Sequence, residues 1–356
     1  MRIRAAIATL PLLVLAACGS GSTSIATTST GSGTAGSDAP TSGSAPTSGS
    51  ASASPAAKLG PAVPPATAVA APVAANELPV ATGKMGVKPT LTFPKNTPPP
   101  GLQRTILSKG NGPLTKSGDY LATNYLGQVW GGKVFDNSYD RKTTSVFQIA
   151  SGKVVPGWVV GLAGVPVGSR VLLSLPPADG YGSTGNSQAG IKGTDTIVFV
   201  VDVVSDIPRD KAGQTDAVIQ PVPKGVPTVT GALGKEPKIT IPKGLAEPKK
   251  NAAYVLAKGA GPKIKAGSVL AQLVVSDWTQ AQVQSTYPKT GAAAATADPA
   301  STGLQQISVD NTGALKDLIG LPIGSRVLVL IAGSADQSTG QKQPSAVAVV
   351  DLVAQA

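Results

Sequence analysis

The chain contains no histidine and a single cysteine, Cys18. Imidazole bases, histidine-held zinc, Ser-His or Cys-His nucleophiles, internal disulfides and thiolate metal clusters are therefore excluded. What remains is a concentration of aromatic side chains with a few hydrogen-bonding neighbours: Tyr125, Phe135-Asp136, Trp158, Tyr181 and Phe199. The chain has four Phe, three Trp and six Tyr, and ten of these fall between residues 93 and 199. Singly, each has a plain structural reading: Trp158 fills a core, Tyr181 and Asp136 sit at turns. Together they could line an apolar cavity, a place that holds a flat apolar group and removes its water without nucleophile, metal or cofactor.

An internal repeat favours the cavity. Residues 88–122 reappear as 236–271, "LAGVPVGSRVLLSL" (162–175) as "LIGLPIGSRVLVLI" (318–331), and "IVFVVDVV" (197–204) as "AVAVVDLV" (346–353). Order and spacing persist over roughly 120 residues, the signature of two copies of one fold. The framework stays: Gly118 and Gly267, Gly168-Ser169-Arg170 and Gly324-Ser325-Arg326, Asp202 and Asp351. The aromatics go. Aligned by the repeat, Tyr125 faces Val274, Phe135 faces Gln284, Asp136 faces Ser285, Trp158 faces Ala314, Tyr181 faces Gln337 and Phe199 faces Ala348. A filled core would need large apolar replacements to avoid voids, so these aromatics are expected to line a cavity that copy two has given up.

The elements that must position them read mainly as strands. "DYLATNYLGQVW" and "SRVLLSLP" are apolar and polar runs bounded by Gly, Pro or Asp, and "TDTIVFVVDVV" is β-branched enough for burial on both faces. "PGWVVGLAGVPVG" opens with Pro-Gly and sets Trp158 and Leu162 four apart, as on one side of a short helix. Many strands with one short helix predict an α+β class.

The blocks "TNYLGQVWGGKVFDNSYDR", "VVPGWVVGLAGVPVGSRVLLSLPPADGYG" and "TDTIVFVVDVV" resemble, in order, the FKBP-type peptidyl-prolyl isomerases over about residues 100–206. Copy two resembles that family through its framework alone. The resemblance implies two tandem FKBP-like domains, the second degenerate, each a twisted antiparallel sheet wrapped around a short α-helix. It implies a pocket walled by Tyr125, Phe135 and Asp136, with Trp158 as floor and Val154 and Val155 at the rim. Tyr181 would offer its hydroxyl to a substrate carbonyl, Ile191 and Phe199 would close the far side, Phe147 would contact substrate, and Arg141 would orient Asp136 or Tyr125. Two departures touch the rim: Ser145 stands where the family usually has an aromatic, and "GSTGNSQAGIKG" lacks the usual His and Pro-Pro.

Such a pocket suits amide rotation. An X-Pro bond turns over a barrier of about 18–20 kcal/mol because rotation breaks resonance. Water favours the more dipolar planar amide, so a dry aromatic site stabilises the twisted state by comparison. Each ~1.4 kcal/mol removed is worth tenfold in rate. The alternative is a non-catalytic module or holdase gripping proline segments at the cell envelope.

The N-terminus supplies an address. "MRIRAAIATLPLLVLAAC" has a basic start and a short apolar run before Cys18, and Leu15-Ala16-Ala17-Cys18 resembles a bacterial lipobox. The expectation is a signal peptide over 1–17, lipid on Cys18, and extracytoplasmic attachment to the cell membrane. A disordered Ser/Thr/Gly/Ala/Pro tether over 18–82, an isomerase domain over 83–206, a linker over 207–226 and a degenerate domain over 227–356 complete the expected organisation. X-Pro-containing exported polypeptides are the expected partners and the chain is read as a monomer. The formal charge of +11 comes without an Arg/Lys cluster interleaved with aromatics, which argues against nucleic acid.

Overall fold

Strand-forming runs punctuated by glycine and proline dominate the computed structural model, which describes residues 68–289, 302–335 and 342–356. The expected signal peptide, the Cys18 lipid site, the tether up to residue 67 and Gln337 lie outside the described residues.

The first half carries β1 (Gln103–Ser108), β2 (Tyr120–Val129), β3 (Val134–Asn137), β4 (Ser145–Gln148), helix α1 (Pro156–Gly161), β5 (Arg170–Leu175) and β6 (Ile197–Ile207). These strands form one sheet in the order β1-β5-β6-β2-β3, with β4 also on β2, and all pairings are antiparallel. Helix α1 starts where Pro156 has its fixed φ and needs no donor. It lies directly on β5: a Cβ at Gly157 or Gly161 would come within 2.4 Å of Leu175 or 2.7 Å of Leu173. Trp158 and Leu162 both point into the core, as their spacing predicts.

A second sheet follows from β7 (Ala252–Lys258), β8 (Gly267–Asp277), β9 (Val283–Ser285), β10 (Gln305–Val309), β11 (Arg326–Ile331) and β12 (Ala346–Gln355). Its order, β7-β11-β12-β8-β9 with β10 on β8, repeats that of the first sheet. Here the expected short α-helix is absent among the described residues; a 3-10 turn, Lys316–Leu318, stands instead. That segment lacks the Pro-Gly start, and Leu315 and Leu318 are buried in the second core.

Two boundaries need correcting. The tether was expected to run to residue 82, yet Val80–Thr82 pairs with Thr90–Thr92 as a hairpin, and Leu78 is buried. Strands of only three residues, Val-Ala-Thr and Thr-Leu-Thr, are too short to carry a period-2 signal, so composition masked them. The expected linker is also structured: β6 continues to Ile207, and Val218–Ile219 adds to the edge of β7. The two sheets meet where Tyr120, Leu270, Leu304 and Val353 form one buried cluster. The Tyr120 hydroxyl donates to the Leu304 carbonyl at 3.1 Å, and Arg209 donates to the Thr302 carbonyl at 2.8 Å.

Candidate functional site

The site is built on the face of the first sheet that α1 covers. Strand β2 places Tyr125, β6 places Phe199, and α1 lays Trp158 across them, each almost fully buried. The Trp158 ring centre lies 5.7 Å from that of Tyr125, 5.3 Å from Phe147 and 5.1 Å from Phe199, all edge to face. Phe135 meets Phe199 edge-on at 5.6 Å and Tyr125 meets Phe147 at 5.5 Å. Edge-to-face contact is the arrangement that the ring quadrupoles favour. Val154, Val155, Tyr181 and Ile191 pack on the same cluster. Phe135, Phe147, Val154 and Tyr181 keep part of their surface in solvent, so the cluster opens outward on their side. The indole Nε1–H of Trp158 is buried without an acceptor.

A polar knot holds one wall. Arg141 donates from Nη1 to Asp136 Oδ1 at 2.6 Å and from Nη2 to the Tyr125 hydroxyl at 2.8 Å, and that hydroxyl donates to Asp136 Oδ2. The guanidinium carbon sits 5.6 Å from the Tyr125 ring centre. Burial first, and the Asp136 carboxylate second, push the Tyr125 phenol well above its ordinary range, so it stays a donor. Tyr181 is also pushed upward, chiefly by burial, with the Asn186 side chain opposing. Asn186 and Ile191 bridge the loop that follows Tyr181.

Two residues of this site are absent from the sequence-based expectation. Gly127 pairs with Phe199 across β2 and β6, and a Cβ there would stand 2.6 Å from the Phe135 ring and 2.7 Å from the Phe199 ring. Its lack of a side chain lets both rings close over the strand. Ser138, fully buried, accepts the Tyr125 N–H at 2.9 Å and pins the loop after β3 to β2. A glycine inside a strand marks close approach of neighbours, which was the available clue to Gly127.

The second sheet also corrects the repeat alignment. The shared Arg-Asp frame pairs Asn124 with Asp202 and Gln272 with Asp351, which sets Tyr125 opposite Leu273 rather than Val274. In the β2–β3 ladder Gly127 pairs with Asp136 and Gln128 with Val134, leaving Phe135 as the extra residue of a bulge. The β8–β9 ladder runs without that insertion, so Gln284 answers Asp136 and nothing answers Phe135. Val275 occupies the position of Gly127. The corresponding face of the second sheet is packed with aliphatic residues, among them Leu273, Leu315, Leu318 and Ala348.

Residues 112–204 match the family model for FKBP-type peptidyl-prolyl cis-trans isomerase, and every residue of the ring cluster lies inside that span. An FK506-binding protein of Streptomyces anulatus is 34% identical over 119 residues, which are 33% of this chain and 96% of that protein. The FKBP-type peptidyl-prolyl cis-trans isomerase FkpA of Escherichia coli is 36% identical over 112 residues, 32% of this chain and 40% of the relative. The solved structure of FkpA from Escherichia coli overlays on 30% of this chain and 49% of that one, at 34% identity and a TM-score of 0.27. With a whole small relative matched nearly end to end at that identity, the chain belongs to the FKBP-type peptidyl-prolyl cis-trans isomerase family.

Proposed function

We propose that the aromatic cluster around Trp158 is the isomerase active site, that residues 227–356 are a degenerate FKBP-like domain without activity, and that the substrates are X-Pro segments of exported polypeptides. The observation that carries the reading is the ring set itself. Five rings meet in the first sheet, and Leu273 and Ala348 stand where Tyr125 and Phe199 would be. In this reading the proline ring lies on Trp158, Tyr181 donates to a substrate carbonyl, and Val154 and Val155 meet the substrate backbone. The Arg141–Asp136–Tyr125 knot holds one wall in place. The buried indole N–H costs about 1–3 kcal/mol while unpaired, which a substrate acceptor would return. Rate then comes from favouring the twisted amide in a water-poor site.

The address expected from Cys18 completes the proposal: lipid on its sulfur would hold the chain outside the cytosol, where slow X-Pro steps limit folding. The test is isomerisation of an X-Pro peptide by the full chain, followed by protease coupling or NMR exchange. Acceleration that Phe135→Ala abolishes is the expected result. Peptide binding without acceleration would replace catalysis with the binding-module reading, which the rim residue Ser145 motivates. Retention of catalysis after Phe135→Ala would move the active site elsewhere.

A further inference from the structure

The matched family segment begins at residue 112, but the first sheet carries an added hairpin, Val80–Thr82 with Thr90–Thr92, outside it. Its turn is gripped by the buried pair Arg170–Asp202. Arg170 donates to the carbonyls of Gly83 at 2.7 Å and Val87 at 2.8 Å, and the Gly86 N–H donates to Asp202 at 2.7 Å. The Tyr139 hydroxyl donates to that same carboxylate at 2.9 Å. Beside it, the Lys88 ammonium spans both carboxylate oxygens of Asp140 at 2.8 and 2.7 Å. Asp140 is tied inward by Asn137, whose Nδ2 donates to it at 2.9 Å. The next residue is Arg141, which holds Asp136 and Tyr125. Two sets of hydrogen bonds, joined by the Asp140–Arg141 peptide link, therefore connect the hairpin turn to the pocket wall.

The second sheet repeats the arrangement. Arg326–Asp351 grips the turn of the hairpin Thr228–Thr230/Lys238–Thr240 through the carbonyls of Ala232 and Lys235, and Tyr287 joins Asp351. Its hairpin-to-loop ion pair is present with the charges exchanged: Glu236 on the hairpin, Lys289 on the loop, 2.8 Å apart. An ion pair reproduced with opposite polarity points to the link itself as the feature that matters.

We propose that the Val80–Thr92 hairpin is a brace for the pocket, and that Lys88 is a positioning residue that fixes the Asn137–Lys142 loop and through it Arg141. This rests on the isomerase reading above. The test compares the full chain with Lys88→Glu, Lys88→Met and Lys88→Arg. An exposed pair of this kind is worth up to about fivefold in an equilibrium, so kcat/KM is expected to fall about three- to fivefold in Lys88→Glu and Lys88→Met and to be kept in Lys88→Arg. Amide exchange at Ser138, Arg141 and Lys142 should quicken by a similar factor in the first two, with the melting temperature lowered by no more than about 2–4 °C. Wild-type rates and exchange in Lys88→Glu, or a loss in Lys88→Arg equal to that in Lys88→Glu, overturn the proposal. A wild-type chain without turnover overturns the isomerase reading instead, and the exchange rates then decide the brace by themselves.

Discussion

Gly127→Ala tests whether ring placement, rather than ring presence, makes the site. The new Cβ would stand 2.6 Å from Phe135 and 2.7 Å from Phe199, where ordinary contact begins at 3.4 Å. Each ring must then withdraw by about 0.8 Å. Overpacking of this sort costs about 1–3 kcal/mol, and the stiffer unfolded chain returns about 0.4–1 kcal/mol. Phe135 is partly exposed and can swing outward, so a net loss near 1 kcal/mol is expected, about 2–4 °C in Tm. Activity should suffer more, because a misplacement of about 1 Å in a site can cost up to ~10²-fold. We expect at least a tenfold fall in kcat/KM on an X-Pro peptide, measured beside a thermal melt of the same full-length sample. Activity within twofold of wild type, with the Tm lowered as stated, would refute the claim that the closed Phe135–Phe199 contact is what the substrate meets.

Three further outcomes follow from the geometry. Arg141→Lys should lose about as much kcat/KM as Arg141→Ala, because one ammonium cannot span Asp136 and Tyr125 as the planar fork does; steady-state kinetics of the pair decide it. Trp158→Ala should cost about 3–5 kcal/mol in urea unfolding, since the ring is buried against three others, whereas Trp158→Phe should stay folded with reduced turnover. Burial, with Asp119 adding, raises the Asp206 carboxyl from 3.8 to about 6. Between about pH 4 and 6 the folded state thus holds a proton that the unfolded chain has released, and this group's contribution to stability declines as pH rises through that window. Full burial would make that about 3 kcal/mol; the side chain is partly open, so about 1 kcal/mol is expected. Asp206→Asn should therefore gain about 1 kcal/mol on wild type between pH 4 and 7 in paired urea titrations, and a constant difference would contradict this account.

The ring cluster was legible in the sequence because rings are rare in this chain and unevenly placed. Trp158 and Leu162 gave away α1 by spacing, and β6 gave itself away by its β-branched run. The register was not legible. The bulge at Phe135 in copy one is offset by one extra residue in the β8–β9 turn of copy two, between Ser276 and Val283, and letters alone cannot place either. Gly127 was passed over because a missing side chain states nothing until the rings that need its space are located. The hairpins were hidden for a different reason: they are held by one arginine binding their carbonyls, and backbone acceptors leave no mark on side-chain composition.

The cluster of Tyr120, Leu270, Leu304 and Val353 has a consequence for cooperativity. Tyr120 opens the strand that carries Tyr125, and its cover comes from the far half of the chain. Loosening the second sheet therefore strips hydrophobic cover from the root of the pocket strand. The second sheet is in this way a thermodynamic ballast for the strand that carries Tyr125.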